Sequence, residues 1–288
     1  MGAFRKINEE QKLEIVRLYI IERFSFRDIA KRLNIGRHII TRILKEQSVE
    51  IRPNWCGIVS YSGNKIRLNK KHTINESFFE KIDTPEKAYW LGWMFSDGCV
   101  NKHFSSFRLK LKSDDISILQ NFKTAMSATQ SIVKCSTENQ HYLSISGSKM
   151  CQDLNRLGCT PNKSLSLKWP IDLKDEYIPL FIRGYFEGDG CIYSCKHNNV
   201  VSYAIEIISN LDFILTLQNI IKDKLNIIFY IKNHKNGKTA ILHGGKYAHV
   251  MEFLSWIYNG YENLRLLRKY DRFQIALNNK GTVFQKFN

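Results

Sequence analysis

Two aspartates, 92 residues apart, occupy matching places in this chain. Tyr89-Trp90-Leu91-Gly92-Trp93-Met94-Phe95-Ser96-Asp97-Gly98-Cys99-Val100 finds its echo in Phe181-Ile182-Arg183-Gly184-Tyr185-Phe186-Glu187-Gly188-Asp189-Gly190-Cys191-Ile192. Each segment is an apolar helix ending on Asp-Gly. Gly92 and Ser96 lie four apart and share a helix face, as do Gly184 and Gly188. Small residues at that spacing let two helix backbones approach closely. Packed side by side about a pseudo-two-fold axis, the helices would bring Asp97 and Asp189 together at one end. A carboxylate there faces the negative pole of the helix dipole, so the pair calls for a cation. Mg²⁺ (or Mn²⁺) takes oxygen ligands and favours phosphate. On a phosphodiester it would lower the pKa of water and stabilise the leaving oxygen. The alternative for each aspartate is a plain helix-end cap, and for the glycines tight packing alone.

The elements that must hold these residues repeat as well. Leu119-Gln120-Asn121 answers Leu217-Gln218-Asn219 at an offset of 98, so six residues are gained on the way, near His197-Asn198-Asn199. Each copy reads helix, strand, strand, helix, strand, strand, helix. Thr84-Pro85-Glu86 opens the first helix with a cap and an N1 proline, and Gly98 is expected to end it. Arg108, Lys110 and Lys112 alternate with Phe107, Leu109 and Leu111, a strand with one basic and one apolar face. A helix is expected over 115–126, strands over 130–136 and 141–146, and a helix over 148–157. In the second copy, strands are expected over 191–196, 201–208, 227–232 and 238–243, and helices over 212–224, 246–257 and 262–278, the first helix starting at Pro179.

Ahead of the repeat, residues 9–21 place Leu13, Val16 and Ile20 at helical spacing. Ser25 opens a second helix with Asp28 three residues on, lined by Phe26, Ile29, Ala30 and Leu33. After Asn34-Ile35-Gly36 comes a third helix with Ile39, Ile40, Ile43 and Leu44. Three short helices with a tight turn form a helix-turn-helix, whose third helix would enter the major groove. Its outward residues are Arg37, His38, Thr41, Arg42 and Lys45; a protein-binding helical bundle is the alternative. Residues 48–83, with Lys65, Arg67, Lys70 and Lys71, read as a basic linker. The domain division is thus 1–47 helix-turn-helix, 48–83 linker, 84–178 first repeat and 179–288 second repeat.

The net charge is +16, spread as +7, +3 and +6 over residues 1–83, 84–178 and 179–288. Distributed positive charge on a folded chain points to a polyanionic partner. No apolar run approaches a membrane span, and the N-terminus, charged from Arg5, is no secretory signal; a cytoplasmic location is expected. The seven cysteines include no C-x-x-C pair, so reduced, mostly buried thiols are expected rather than disulfides or zinc.

The paired motifs resemble those of the LAGLIDADG homing endonucleases of single-chain type. So do Asp83-Thr84-Pro85-Glu86-Lys87-Ala88-Tyr89-Trp90 before the first, Pro161-Asn162-Lys163-Ser164-Leu165 before the second, and Arg268-Lys269-Tyr270 near the end. The resemblance covers about residues 75–275. The front unit resembles that of phage and mobile-element members. It implies an α+β fold of two pseudo-symmetric αββαββα repeats, forming a DNA-binding saddle beside an all-α helix-turn-helix domain. It implies a monomeric, site-specific, double-strand endonuclease acting on a long asymmetric DNA target. Asp97 and Asp189 would bind metal with the carbonyls of Ser96 and Gly188, each directing one strand's cleavage. A basic residue belongs near each centre: Lys163 and Lys269 are placed for it, with Arg265, Arg268 and Lys246 as competitors. Arg108, Lys110 and Lys112 would contact DNA from the first sheet. The matching strand of the second copy, Tyr203-Ala204-Ile205-Glu206-Ile207, is less basic, which shifts contact toward Lys196, Lys232, Lys235 and Lys238. Phe95 departs from the name-giving pattern, where an acid stands. The rivals are a non-cleaving transcriptional regulator on the same fold and an RNA-binding splicing factor.

Overall fold

The structure is a computed structural model, and it describes residues 7–22, 24–51, 72–197, 200–233 and 238–279. The chain divides into two compact units, Met1–Lys71 and His72–Asn288.

The first unit is three helices: α1 (Glu9–Ile20), α2 (Phe26–Leu33) and α3 (Arg37–Glu46). Asn8 caps α1, and Gln11 returns the bond to the Asn8 backbone, closing a capping box. The Ser25 side chain accepts from the Asp28 amide, while its hydroxyl donates to the Asp28 carboxylate at 2.6 Å. Asn34 ends α2 in the left-handed region (φ 49°), a conformation asparagine tolerates. The core is Ile15, Leu18, Tyr19, Phe24, Ile29, Ile40, Ile43 and Leu44. The apolar spacing read over α1 is right at Val16, which packs on this core, and wrong at Leu13 and Ile20, which are exposed; Ile15, Leu18 and Tyr19 turn inward instead. Both sets fit a 3.6-residue period, and only packing decides between them.

The second unit is α+β: two LAGLIDADG-like copies, each a four-stranded antiparallel sheet with its helices. The first runs α4 (Pro85–Phe95), β1 (Gly98–Val100), β2 (Ser106–Lys112), α5 (Ile116–Ala125), β3 (Val133–Lys134), β4 (Gln140–Ser146) and α6 (Ser148–Leu157). The second runs α7 (Ile178–Asp189), β5 (Gly190–His197), β6 (Val200–Ser209), α8 (Leu211–Leu225), β7 (Tyr230–Asn233), β8 (Ala240–Gly244) and α9 (Tyr247–Ile257), followed by α10 (Leu267–Asn278). The strand orders match, β1-β2-β4-β3 and β5-β6-β8-β7. The six added residues lengthen the β5–β6 hairpin, so β5 has eight residues where β1 has three.

Thr84 caps α4 through the Lys87 amide, with Pro85 in the first turn. Phe107, Leu109 and Leu111 of β2 face the core while Arg108 and Lys112 face out. One core spans both copies. It also takes in Phe78, Phe79 and Ile82, so residues 72–83 are part of this unit and not linker. The expected helix over 262–278 begins only at Leu267, and β3 and β7 are shorter than expected. No helix is long and apolar enough to cross a membrane among the described residues.

Candidate active site

The site begins where α4 meets α7, in the most extensive inter-helix contact of the molecule. A Cβ on Gly92 would collide with the Phe181 carbonyl oxygen, and one on Gly184 with that of Tyr89. A Cβ on Gly188 would strike Ser96 Oγ and come within 2.8 Å of Asp97 Oδ2. The four small residues, Gly92, Ser96, Gly184 and Gly188, thus set the distance between the helices and bring the two motif ends together. Gly98 serves differently from the helix-ending role expected of it, and its counterpart Gly190 resembles it. Neither has a positive φ; a side chain there would run into the backbone of Met94 or Phe186.

Asp97 and Asp189 both lie open to solvent on one side, at the bottom of this junction. Protein surrounds them on the others, and that burial pushes both carboxyls up; for Asp97, repulsion from Asp189 adds to it and takes the carboxyl to about 6. Solvent on the open side screens part of this effect. Lys163, then the Tyr185 hydroxyl and Lys269, pull Asp189 the other way.

A buried lysine closes each motif end. Lys163 donates to the carbonyls of Ser96 (2.9 Å) and Gly98 (2.6 Å). Lys269 donates to those of Phe186 (2.9 Å), Glu187 (2.6 Å) and Gly190 (2.5 Å), and reaches Gly188 only at 3.4 Å. These ammonium groups answer the negative helix ends. Part of the cation demand read from the sequence is therefore met by the protein itself. Desolvation lowers Lys269 to about 8, with neighbouring Arg268 adding to it, so it stays largely protonated at neutral pH. Of the competing bases, Arg265 stacks on Tyr270 at 3.9 Å, Lys246 is exposed at the start of α9, and Arg268, although beside the site, forms a bidentate pair with buried Asp115 at 2.8 and 2.7 Å.

That Arg268–Asp115 pair joins the two copies across a cleft of about 310 Å³, whose walls include Asp97, Lys110, Lys112 and Lys269. Arg108 lies on the same outward face of the sheet, over the Tyr142 ring. On the second sheet Lys232 is bound to Glu206 at 2.9 Å. The Lys196 side chain, Lys65, Arg67 and Lys235 lie outside the described residues. In the first unit Arg37, His38, Arg42 and Lys45 are exposed on α3; Thr41 is half-buried and donates to the Arg37 carbonyl. Cys99 and Cys191, each two residues after a motif aspartate, are exposed, whereas Cys151 and Cys159 are buried, so burial does not hold for the thiols as a set.

Three supporting residues escaped the sequence reading. Arg183 is fully buried and donates to five carbonyls, those of Ile257, Asn259, Gly260, Tyr261 and Leu264. Glu187, buried and pushed up to about 7 by desolvation, accepts from the Tyr89 hydroxyl (2.6 Å) and the Leu266 amide (2.8 Å). Tyr89 thus ties α4 to the second copy. Nothing local marks these roles, because every partner but the motif itself lies more than 70 residues away.

No group of three or more His, Cys, Asp and Glu side chains gathers as a metal cage among the described residues. Two solvent-open carboxylates on abutted helix ends nonetheless fit Mg²⁺, which is commonly bound by one or two carboxylates with water and substrate phosphate.

Residues 176–270 match the LAGLIDADG-like domain model, and residues 86–149 match that of the WhiA LAGLIDADG-like domain. Both halves of the second unit are therefore LAGLIDADG-like. Among solved structures, the LAGLIDADG homing endonuclease I-LtrWI bound to target DNA is 14% identical over 71% of this chain and 91% of its own, with a TM-score of 0.48. I-SmaMI bound to uncleaved DNA target in the presence of calcium ions is 14% identical over 68% and 92%, with a TM-score of 0.48. I-SmaMI bound to cleaved DNA is 15% identical over 68% and 90%, with a TM-score of 0.46. No curated protein matches the chain.

Proposed function

We propose that this protein is a site-specific double-strand DNA endonuclease that acts as a monomer with Mg²⁺ or Mn²⁺, one strand falling to each motif aspartate. The observation that carries this reading is the pair of solvent-open carboxylates on abutted helix ends, each end closed by a buried lysine. Asp97 opens on a cleft walled by Lys110 and Lys112 of the first sheet. Asp97 and Asp189 would hold the metal. The Gly188 carbonyl, only loosely met by Lys269, has lone pairs to spare, and the Ser96 carbonyl retains one beside Lys163. When bound, the ion supplies an acidified water and charge stabilisation at the leaving oxygen. The lysines fix the carbonyl ends and hold positive charge beside the cleft. Lys110, Lys112 and Arg108 would grip phosphates or base edges, and Arg37, His38, Thr41, Arg42 and Lys45 would extend the footprint along a long asymmetric target inside the cell.

The test is selection from a duplex library. Wild type should cut its preferred duplex in Mg²⁺ and bind without cutting in Ca²⁺. Asp97→Asn should lose double-strand cutting and keep affinity. The match of residues 86–149 to the WhiA LAGLIDADG-like domain favours a second reading, a non-cleaving DNA-binding transcriptional regulator. Tight, selective binding with no cutting in Mg²⁺ or Mn²⁺ would establish that reading instead.

A further inference from the structure

The two sheets share one topology but carry opposite charge at one matching position. On β2, Arg108 sits opposite Cys99; on β6, Glu206 sits opposite Cys191. The two residues are 98 apart, the offset that also relates Gln120 to Gln218. Both lie on the face turned away from the core, since Leu109 and Ile205 with Ile207 are buried beside them. The next outward position reverses in character too: Lys110 on β2 becomes exposed Ile208 on β6.

Glu206 is held in place. Its Oε1 takes Lys232 Nζ at 2.9 Å and lies 3.2 Å from His243 Nδ1 and 3.3 Å from the Tyr193 hydroxyl. Among the described residues, these donors all meet Oε1 and none meets Oε2. The four side chains come from all four strands of the sheet. Lys232 also offsets the charge, so a phosphate-bearing ligand meets a fixed acceptor without a net negative patch. A fixed carboxylate with one oxygen to spare selects a donor. In the major groove, the donors on base edges are the amino groups of cytosine and adenine. Adenine sets the N7 acceptor beside its amino group, which opposes a second carboxylate oxygen; cytosine does not.

We propose that Glu206 is a specificity-determining residue that accepts a hydrogen bond from cytosine N4 in the half of the target lying under the second sheet. The inference rests on the endonuclease or DNA-binding reading above. Arg108, a donor at the matching position, selects acceptor-bearing edges in the other half. The target is therefore asymmetric at a position where the fold is symmetric.

The test profiles bound duplexes in Ca²⁺ from a randomised library, for wild type, Glu206→Gln and Arg108→Gln. Wild type should show one cytosine position in the second half. Glu206→Gln should weaken that preference about tenfold, the scale of one lost base contact, and admit adenine, which glutamine reads. Arg108→Gln should leave that position intact and relax one in the other half. A Glu206→Gln profile identical to wild type overturns the inference and leaves the DNA reading standing. A wild type that enriches no duplex overturns both. If Glu206→Gln does not fold, Lys232→Met decides: reduced discrimination at the same position supports the inference, and an unchanged profile defeats it.

Discussion

Asp97 is costly to the protein that carries it. Its folded carboxyl titrates near 6 against an ordinary 3.8, so the folded state binds the proton more tightly than the unfolded one. Stability of the metal-free protein should therefore fall as pH rises from about 4 to about 6, because the unfolded chain gives up its proton first. Solvent on the open side reduces the size of this effect. Asp97→Asn should raise metal-free stability at pH 7 by about 1 kcal/mol and flatten the pH dependence, as read by urea unfolding at pH 4.5 and 7. Millimolar Mg²⁺ should stabilise wild type and not the variant. A wild type that gains stability between pH 4 and 6 from this region would contradict the assignment. Lys163 and Lys269 obey a different logic. Replacing either with Met leaves buried carbonyls unmet, at roughly 1–3 kcal/mol for each that finds no other donor. Under the endonuclease reading each variant should also release mostly nicked duplex, because each lysine serves one motif end. Equal loss of both cuts in a folded variant would refute that pairing.

Between elements, the spacing of α4 and α7 is fixed by backbone and not by adjustable side chains. Gly184→Ala would drive a Cβ into the Tyr89 carbonyl, and relief requires the helices to part. The expected loss is about 3 kcal/mol or more, with the carboxylates carried apart and metal response lost. Gly147→Ala is the control: the nearest atom to a Cβ there lies 3.9 Å away and φ is 177°, so its unfolding midpoint should stay near wild type. This junction was legible in the sequence because a pair of small residues at helical spacing occurs twice. The alternation in β2 was legible for the same kind of reason, since its period belongs to the strand itself. Arg183 was not, because its meaning lies in five carbonyls of the segment 257–264, which no periodicity foretells. Lys163 and Lys269 stood among five candidates until the fold placed them on the motif ends. The face of α1 was partly misread because Leu13 and Ile20 keep helical period as well as Ile15 and Tyr19 do. Local pattern yields the elements; which of their residues meet is settled by contacts distant in sequence.

At the scale of the whole molecule, charge and architecture divide the work. If the protein binds DNA as proposed, its +16 net charge should make that affinity fall steeply with salt, as bound phosphates exchange counterions for Lys and Arg. The first unit keeps its own core and presents Arg42 on α3, only weakly paired with Glu46 at 3.5 Å. If that residue holds a phosphate, Arg42→Ala should weaken binding alike for all sequences and reduce the salt slope by about one. If it reads a base, the loss should fall on one position of the target and the slope should change less. In both cases, under the endonuclease reading, the broken phosphodiester should stay the same, because the carboxylates proposed to select it belong to the second unit. Binding titrations at several salt concentrations, with cut-site mapping on the same duplex, separate the outcomes. A displaced cut in Arg42→Ala would mean that the first unit sets the register of cleavage, and the proposed division of labour would be wrong.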